Sequence, residues 1–394
     1  MKINKFAVFV CCLSVVAIAS ADLEERVSAL ENQASLQALE NNLSLGGYGE
    51  FHTTRKSGNS YGDYHRVVLY AGYQFSDSIR LNSEIELEHS KSTIGYVLLE
   101  QFNVGIDLSE TSTLILGRSL APMGIVGPRH EPPLFFGVER PNVEKYILPS
   151  TWSIDGVGLT GDLSENISYE VYAVGGLDAS GFDAEDGIRG GREAAYQGLE
   201  SPSITGRVDY HGIDNLRIGL SMFQGSTDHG SKGSDYTLTY DDDATSSVTN
   251  SITGFSGTEV SITSFDFEYF NGPLTVNGLW VDGEHDGNVT TSIPAGNGLI
   301  GSNKALSLAA SDFSGQYFTV GYEIWRNGEK AIIPFVRLSE YDTHSSVATI
   351  EETKIGVNIP LTNQFVLKAD LLTTEQAGKE DVDTFSVGFG MMFQ

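Results

Sequence analysis

From about residue 45 onward, apolar and polar side chains alternate in segments of about ten residues. In the clearest segment one face carries Ile79, Leu81, Ser83, Ile85 and Leu87, and the other carries Arg80, Asn82, Glu84, Glu86 and Glu88. The last segment places Phe385, Val387, Phe389, Met391 and Phe393 on one face. Successive side chains of a strand point to opposite faces, so this pattern predicts strands with one apolar and one polar face. Soluble sandwiches also alternate, but strands of about ten residues with a charged face are typical of membrane barrels.

The connections between these segments differ in length in a regular way. We count about sixteen segments, which start near residues 47, 64, 79, 94, 112, 154, 166, 204, 215, 259, 273, 314, 330, 347, 363 and 382. Tight turns are predicted at 76–78, 164–166, 212–215, 271–273, 325–330 and 360–363, and long connections at 119–153, 176–203, 225–258 and 284–313. Short periplasmic turns and long external loops on opposite rims are typical of outer-membrane barrels. The sequence therefore predicts an all-β, transmembrane antiparallel barrel of about 16 strands over residues 44–394.

The first 21 residues have the pattern of a secretory signal peptide. Lys2 and Lys5 precede a short apolar core over residues 6–18, and Ala19-Ser20-Ala21 forms a small-x-small cleavage pattern. We expect cleavage before Asp22 and export to the outer membrane. The alternative is an uncleaved anchor, for which the acidic stretch after residue 21 is a poor flank.

Residues 22–43 are predicted to form a helix with an apolar seam. The seam begins with Leu23, Val27, Leu30 and Ala34 and continues after a phase shift with Leu36, Leu39 and Leu43. Such spacing indicates a short periplasmic coiled coil that helps to hold a trimer. A solvated amphipathic linker helix remains the alternative, because three heptads are few and the seam is interrupted.

Cysteine content and charge exclude several functional classes. Cys11 and Cys12 both lie in the signal, so the mature chain has no disulfide, zinc–thiolate site or cysteine nucleophile. Cleavage removes Lys2 and Lys5 and no acid, which leaves 22 basic and 52 acidic side chains and a formal charge of −30. Such a chain repels nucleic acid. No later stretch approaches the ~20 apolar residues of a spanning helix, so only a closed barrel would cross a membrane.

The connection over 119–153 is the main candidate for a functional element. It contains Pro122, Pro128, Pro132, Pro133 and Pro141, and proline stiffens the chain. Its apolar content implies packing, so we expect an inward-folded loop that narrows the pore. The charged residues expected at this constriction are Arg129, His130, Glu131, Glu139, Arg140, Glu144 and Lys145. The alternative is a lid over the outer mouth.

Alternation also assigns charged residues to the pore wall. The predicted wall residues are Arg80, Glu84, Glu86, Arg207, Arg217, Arg337 and Lys368; further inward positions are Arg66, Lys354, Glu88, Glu170, Asp209, Asp266, Glu268, Glu323 and Asp370. A mixed wall passes small polar solutes, whereas a ring of one sign selects the opposite ion. The mixture argues against a strongly anion-selective pore. Each residue is alternatively a structural partner of a neighbouring strand.

Signals for enzymatic or metal chemistry are weak. The sequence has neither a G-x-S-x-G elbow nor an H-E-x-x-H helix, and its eight histidines are scattered. His130-Glu131 alone is a weak metal signal. Asp241-Asp242-Asp243 is either a loop site for a divalent cation that bridges lipopolysaccharide or a solvated loop tip. We therefore expect no enzyme, no cofactor and no metal site.

Four segments carry a resemblance to known proteins: GGYGEFH at 46–52, HRVVLYAGYQFSDSIRLNSEIELEH at 65–89, HEPPLFFGVERPNVEKYILPSTW at 130–152 and GIRGGRE at 187–193. They resemble a family of Gram-negative porins related to the phosphate-selective porin O and P type. The resemblance implies a sixteen-stranded, trimeric channel with an N-terminal periplasmic coiled coil and an inward-folded third loop. Two features depart from it: the dense lysine cluster of the anion channels is absent, and Gln394 follows the expected terminal aromatic residue.

Three functional classes follow from these observations. The first is an outer-membrane porin for passive diffusion of small polar solutes and ions. The second is an anion- or phosphate-selective uptake channel, favoured if Arg129, Arg140, Lys145 and Arg192 face the pore. The third is a surface scaffold or adhesin. The expected partners are outer-membrane lipid, lipopolysaccharide, small hydrophilic solutes and two further copies in a homotrimer, but not nucleic acid.

Overall fold

The alternating segments form β-strands that pair with their neighbours along the chain. The computed structural model describes residues 42–89, 96–178, 182, 184–193, 202–227, 236–242, 246–252, 258–290, 307–345 and 347–393. Its strands are β1 (Leu43–Lys56), β2 (Asn59–Ser76), β3 (Ile79–Glu88), β4 (Tyr96–Ser109), β5 (Ser112–Leu120), β6 (Ser153–Ser164), β7 (Ile167–Val174), β8 (Ser203–Ile213), β9 (Leu216–Ser226), β10 (Tyr236–Asp242), β11 (Ser246–Ile252), β12 (Glu259–Asn271), β13 (Leu274–Thr290), β14 (Ser307–Tyr322), β15 (Trp325–Asn327), β16 (Lys330–Asp342), β17 (Ile350–Thr362), β18 (Phe365–Gln376) and β19 (Val382–Phe393).

Sixteen antiparallel strands close into one barrel, as predicted. Each strand pairs with the next, and the ring closes because β1 pairs with both β2 and β19. β10 and β11 form a separate hairpin, and the three-residue β15 extends one edge of β16. Closure matters because every strand of the barrel then has two partners, so no strand edge of the barrel is left unpaired. Within the described ranges, no helix has the length and apolar character needed to cross a membrane.

The predicted strand starts and tight turns agree with the structure to within a few residues, except at the start of β14. The connection predicted at 284–313 is wrong in its bounds, because β13 continues to Thr290 and β14 begins at Ser307. Beyond the apolar belt of the barrel, strands pair through their backbones and need no apolar face. The alternation of apolar and polar residues therefore does not mark where β13 ends or where β14 begins. Leu43, predicted as helical, begins β1. The predicted signal peptide and nearly all of the predicted coiled coil lie outside the described residues.

The two faces of the barrel follow the predicted alternation. On β9 the outward Leu220 is 55% exposed, whereas the neighbouring Ser221 is 1% exposed and points inward. On β19 Val387 is outward and exposed, and Ser386 is buried on the inner face. Exposed apolar side chains occur on strands around the barrel, which is the belt that contact with lipid tails requires.

The hydrophobic core lies inside the barrel, at the level of the segment between β5 and β6. From this segment, Met123, Val143, Ile147 and Trp152 join a buried cluster with inward residues of the wall. The wall residues of this cluster include Phe223, Ile262, Leu279, Val281, Phe313 and Tyr317. An apolar inner wall at this level is therefore explained by a protein segment packed against it rather than by lipid.

Candidate functional site

The segment 121–152, here called the inner loop, contacts inward-facing residues on many strands. It contains a 3-10 turn, Pro132–Leu134, and a π-helical turn, Val143–Ile147. Gly124 and Gly137 have φ values of +73° and +90°, a left-handed conformation that glycine adopts without strain. These two positions allow the loop to reverse direction inside a confined space.

Inward basic residues donate hydrogen bonds to backbone carbonyls of the inner loop. Arg66 bonds the carbonyl of His130 at 2.9 Å, and Arg207 bonds that of Gly124 at 2.9 Å. On the opposite wall, Arg337 bonds the carbonyl of Phe136 at 2.9 Å and Lys354 bonds that of Glu139 at 3.2 Å. An irregular segment inside a barrel has carbonyls without secondary-structure partners, and a buried unpaired carbonyl is costly. The wall bases thus act as anchors for the loop.

Inward carboxyl and amide groups complete the anchoring. Asp370 accepts a hydrogen bond from the backbone nitrogen of Val138 at 2.6 Å. Asn358 bonds both the nitrogen of Gly137, at 3.2 Å, and the carbonyl of Phe135, at 3.0 Å. These contacts fix the loop tip against β17 and β18.

Glu144 is the most deeply buried charged residue of the inner loop. Its carboxylate accepts hydrogen bonds from the Tyr317 hydroxyl at 2.5 Å and from the Val126 nitrogen at 2.6 Å. The side chain has no exposed surface, and burial raises the pKa of Glu144. Glu144 therefore joins two parts of the loop to β14.

His130 lies between two carboxylates of the wall. Its Nε2 is 3.3 Å from Glu100 and 3.5 Å from Glu84, and its Nδ1 is 3.1 Å from the carbonyl of Gly127. Burial lowers the pKa of His130, but these carboxylates outweigh burial and raise it to about 10. A protonated imidazole here neutralises part of the acidic wall of β3 and β4.

The other predicted constriction residues have individual partners rather than one common site. Arg129 forms an ion pair with Glu268, and Glu131 accepts a hydrogen bond from Tyr70 at 3.2 Å. Three more predicted residues also have separate partners: Glu139 is 3.0 Å from His52 Nδ1, Arg140 is buried and donates to Ser150 at 3.2 Å, and the carbonyl of Lys145 accepts from Arg189 at 2.7 Å.

The predicted wall residues all lie on strands, and several form ion pairs. Arg207 and Arg217 share Asp209 and Asp266, and Arg217 also contacts Glu268 at 2.8 Å. The remaining predicted residues have these neighbours: Arg80 pairs with Asp107 at 2.7 Å, Glu86 is 4.0 Å from Arg66, and the ammonium of Lys368 is 3.7 Å from the ring centre of Phe135. Lys368 and Arg337 are thus covered by the inner loop.

A cavity of about 750 Å³ lies between the inner loop and the wall formed by β1–β8. Its charged lining residues are Glu84, Glu131, Asp162, Glu170 and Asp209, together with His130. Among the described residues that line this cavity, none is lysine or arginine. The lining of this cavity therefore carries an excess of acidic groups, although Asp209 is paired with Arg207 and Arg217 and the inner wall as a whole carries both signs.

Sequence reasoning missed two groups of inward residues. Glu50 is a buried partner of Arg66, and Glu100 is a buried partner of His130. Both lie in segments whose residues do not alternate clearly between apolar and polar. His52, His65 and His89 lie close together, and they are brought there only by the pairing of β1, β2 and β3. Spacings of 13 and 24 residues match no local metal motif.

The predicted loop cation site lies largely outside what can be described. Asp241 and Asp242 belong to β10, for which the backbone alone is described, and Asp243 lies outside the described residues. Both alternatives for this loop tip, a solvated tip and a site for a divalent cation, therefore stay predictions.

No family model matches the chain. An uncharacterised protein of Aquifex aeolicus (strain VF5) is 28% identical over 373 residues, 89% of this chain and 80% of that protein.

Several solved outer-membrane proteins have a similar structure. OmpF of Salmonella typhi, solved with daunomycin, has a TM-score of 0.57 at 10% identity and covers 89% of this chain and 98% of its own. The anion-selective porin from Comamonas acidovorans has a TM-score of 0.56 at 11% identity, with 89% and 99% covered. The trimer form of Vibrio cholerae OmpT has a TM-score of 0.53 at 11% identity, with 89% and 98% covered. The chain therefore has the fold of outer-membrane porins, whereas its kinship with the phosphate-selective O and P type stays a prediction.

Proposed function

We propose that this protein is an outer-membrane porin whose water-filled channel passes small polar solutes and ions by diffusion and favours cations. The observation that carries the proposal is the excess of acidic groups around the cavity beside the inner loop. Five carboxylates line this cavity: Asp209 pairs with Arg207 and Arg217, Glu84 faces His130, and Glu131, Asp162 and Glu170 add further negative charge. Arg66, Arg337 and Lys354 instead donate to carbonyls of the inner loop. A wall of one sign concentrates the opposite ion.

The inner loop is proposed to set the size of the channel. Its contacts with β1, β12 and β17 bring residues 129–145 across the barrel from several directions. Charges in a narrow, low-dielectric opening act more strongly on a passing ion than the same charges on an external loop. Among the predicted constriction residues, Arg129 is exposed, and Glu131, Glu139 and Lys145 are partly buried.

An anion-selective channel is the second candidate, because positive charges meet at the base of the inner loop. Arg189 donates to the backbone carbonyl of Lys145 at 2.7 Å. Burial and the charges of Arg189 and Arg140 lower the pKa of Lys145. These residues do not line the acidic cavity, which is why we favour cations.

Location and assembly are part of the same proposal. The apolar outer belt suits a membrane, and the signal-like segment 1–21 suits export. A homotrimer is supported by the segment 22–43 and by the similarity of the barrel to OmpT, which has been solved in a trimer form. Cell fractionation and cross-linking of the exported protein test these two points, and a soluble periplasmic monomer would contradict both.

The decisive experiment is the reversal potential of purified protein in planar bilayers under a KCl gradient. We expect stepwise conductance and a potential whose sign corresponds to cation preference. The opposite sign would favour the anion-selective candidate. A folded barrel that inserts and gives no conductance would identify a scaffold and refute the channel proposal.

A further inference from the structure

Three histidines and one aspartate meet where β1, β2 and β3 approach the side of the barrel that carries the long connections. His52 lies on β1, Asp63 and His65 lie on β2, and His89 directly follows β3. The rings of His52 and His65 are stacked with centres 4.8 Å apart, and the ring of His89 meets that of His65 edge-on at 4.9 Å. Three neighbouring imidazoles are unusual in a chain with eight histidines and so strong an acidic excess.

Asp63, His65 and His89 direct their ligand atoms at one point. The Nδ1 atoms of His65 and His89 lie 3.3 Å and 2.7 Å from the same carboxylate oxygen of Asp63. One ligand atom from each of the three residues lies within 4.8 Å of the others. Ligand atoms around a tetrahedral zinc ion are roughly 3.3 Å apart, given metal–ligand distances of about 2.0–2.1 Å. Small side-chain movements would therefore give this spacing.

The backbone holds His89 in an uncommon conformation. Its φ is +47°, a left-handed value that costs free energy for a residue other than glycine. Its backbone nitrogen donates to the carbonyl of His65 at 2.9 Å, which fixes the two residues relative to one another. A conformation kept at such a cost is a common property of functional positions.

We propose that Asp63, His65 and His89 form a binding site for one divalent transition-metal ion of the zinc class. Zinc-class ions prefer ligand sets that include imidazole, such as two imidazoles and one carboxylate, whereas calcium and magnesium prefer sets made only of oxygen atoms. The His89 side chain is 46% exposed, so an ion has access from solvent and a water molecule fills the fourth position. The ion would take the place of the direct contacts between the two Nδ1 atoms and the Asp63 carboxylate.

A second trio, His52, His65 and Glu139, also has one ligand atom from each residue within 4.8 Å of the others, but it is a poorer site. Both ring nitrogens of His52 already face carboxylates, with Nδ1 at 3.0 Å from Glu139 and Nε2 at 3.1 Å from Glu50. His52 instead links the proposed metal site to the inner loop, because it stacks on His65 and contacts Glu139. An ion at His65 would thus add positive charge close to the loop.

The test of binding is isothermal titration of the detergent-folded barrel with ZnCl2, with MgCl2 as the comparison ion. We expect one zinc ion per chain, no comparable magnesium binding, and a loss of affinity of at least about tenfold in His65→Gln, His89→Gln and Asp63→Asn. The matched control is His211→Gln, because His211 is exposed and lies on β8 outside the cluster. Since His89 is exposed, its substitution is compatible with folding, and Co²⁺ absorption gives a second readout of nitrogen ligation.

The outcomes separate the site from its alternatives and from the channel proposal. Absence of zinc binding, or equal loss of affinity in His211→Gln, would refute the site. Loss in His52→Gln with full binding in His89→Gln would move the ion to the second trio and overturn the assignment. The effect on conduction rests on the proposed function: zinc should reduce cation permeability in the wild type and not in His89→Gln. Zinc binding measured by titration stands even if no channel is found.

Discussion

Glu131→Gln tests the proposed cation preference with a change of one charge and almost no change of shape. Glu131 lies in the inner loop, lines the acidic cavity and accepts a hydrogen bond from Tyr70 at 3.2 Å. Glutamine keeps an acceptor for this bond, so the loop should stay in place. Only the negative charge is removed from the passage.

The size of the effect follows from the size of the cavity. A sphere of 750 Å³ has a radius of about 5.6 Å, so a central ion is roughly 6 Å from a lining carboxylate. At that distance in a water-like dielectric, one unit charge contributes about 0.7 kcal/mol, which is about a threefold change in local ion concentration. When this charge is removed, the local concentration of cations falls and that of anions rises. The K⁺/Cl⁻ permeability ratio should therefore fall by about ninefold without screening and by about threefold at 0.1 M salt.

The assay is the reversal potential of single proteins in planar bilayers, measured for the wild type and Glu131→Gln. Glu375→Gln is the matched control, because Glu375 is exposed on β18 and does not line the acidic cavity. We expect the ratio to be unchanged in the control. An unchanged ratio in Glu131→Gln, or an equal fall in both variants, would show that ions do not pass through this cavity.

Three further predictions concern the barrel, the loop anchor and the channel size. Val387→Arg, on the lipid-facing side of β19, should cost about 2–4 kcal/mol in a folding titration, whereas Asn82→Arg on the inner face should be mild; equal costs would contradict the assigned faces. The stabilising contribution of His130 should be complete below pH ~6.5 and decline as the pH rises toward 10, because folding raises its pKa to about 10; thermal unfolding of wild type and His130→Gln over this range should differ, and parallel profiles would exclude a charged His130. Deletion of 130–140 should raise single-channel conductance in a correctly folded barrel, and unchanged conductance would identify the loop as a lid or structural strap.

The alternation of apolar and polar residues along the chain was enough to predict the architecture of the barrel. Alternation on β3, β9 and β19 assigned the outer and inner faces correctly, because a strand against lipid must be apolar on one side at every second residue. The short turns were equally predictable, since adjacent antiparallel strands need only a few residues to connect. The same logic failed at the ends of β13 and β14, where the paired backbone continues without an apolar face.

The role of each inward-facing charge, in contrast, depends on contacts between distant parts of the chain. The sequence placed Arg207, Arg337 and Glu84 on the inner face alike, but the first two bond loop carbonyls and the third lines the cavity beside His130. That difference depends on where an irregular loop lies, and no local periodicity encodes its path. The meeting of His65 with His89 likewise depends on strand register, which joins residues far apart in the chain. Local patterns fix which side a residue faces, whereas its partner is set by long-range pairing and packing.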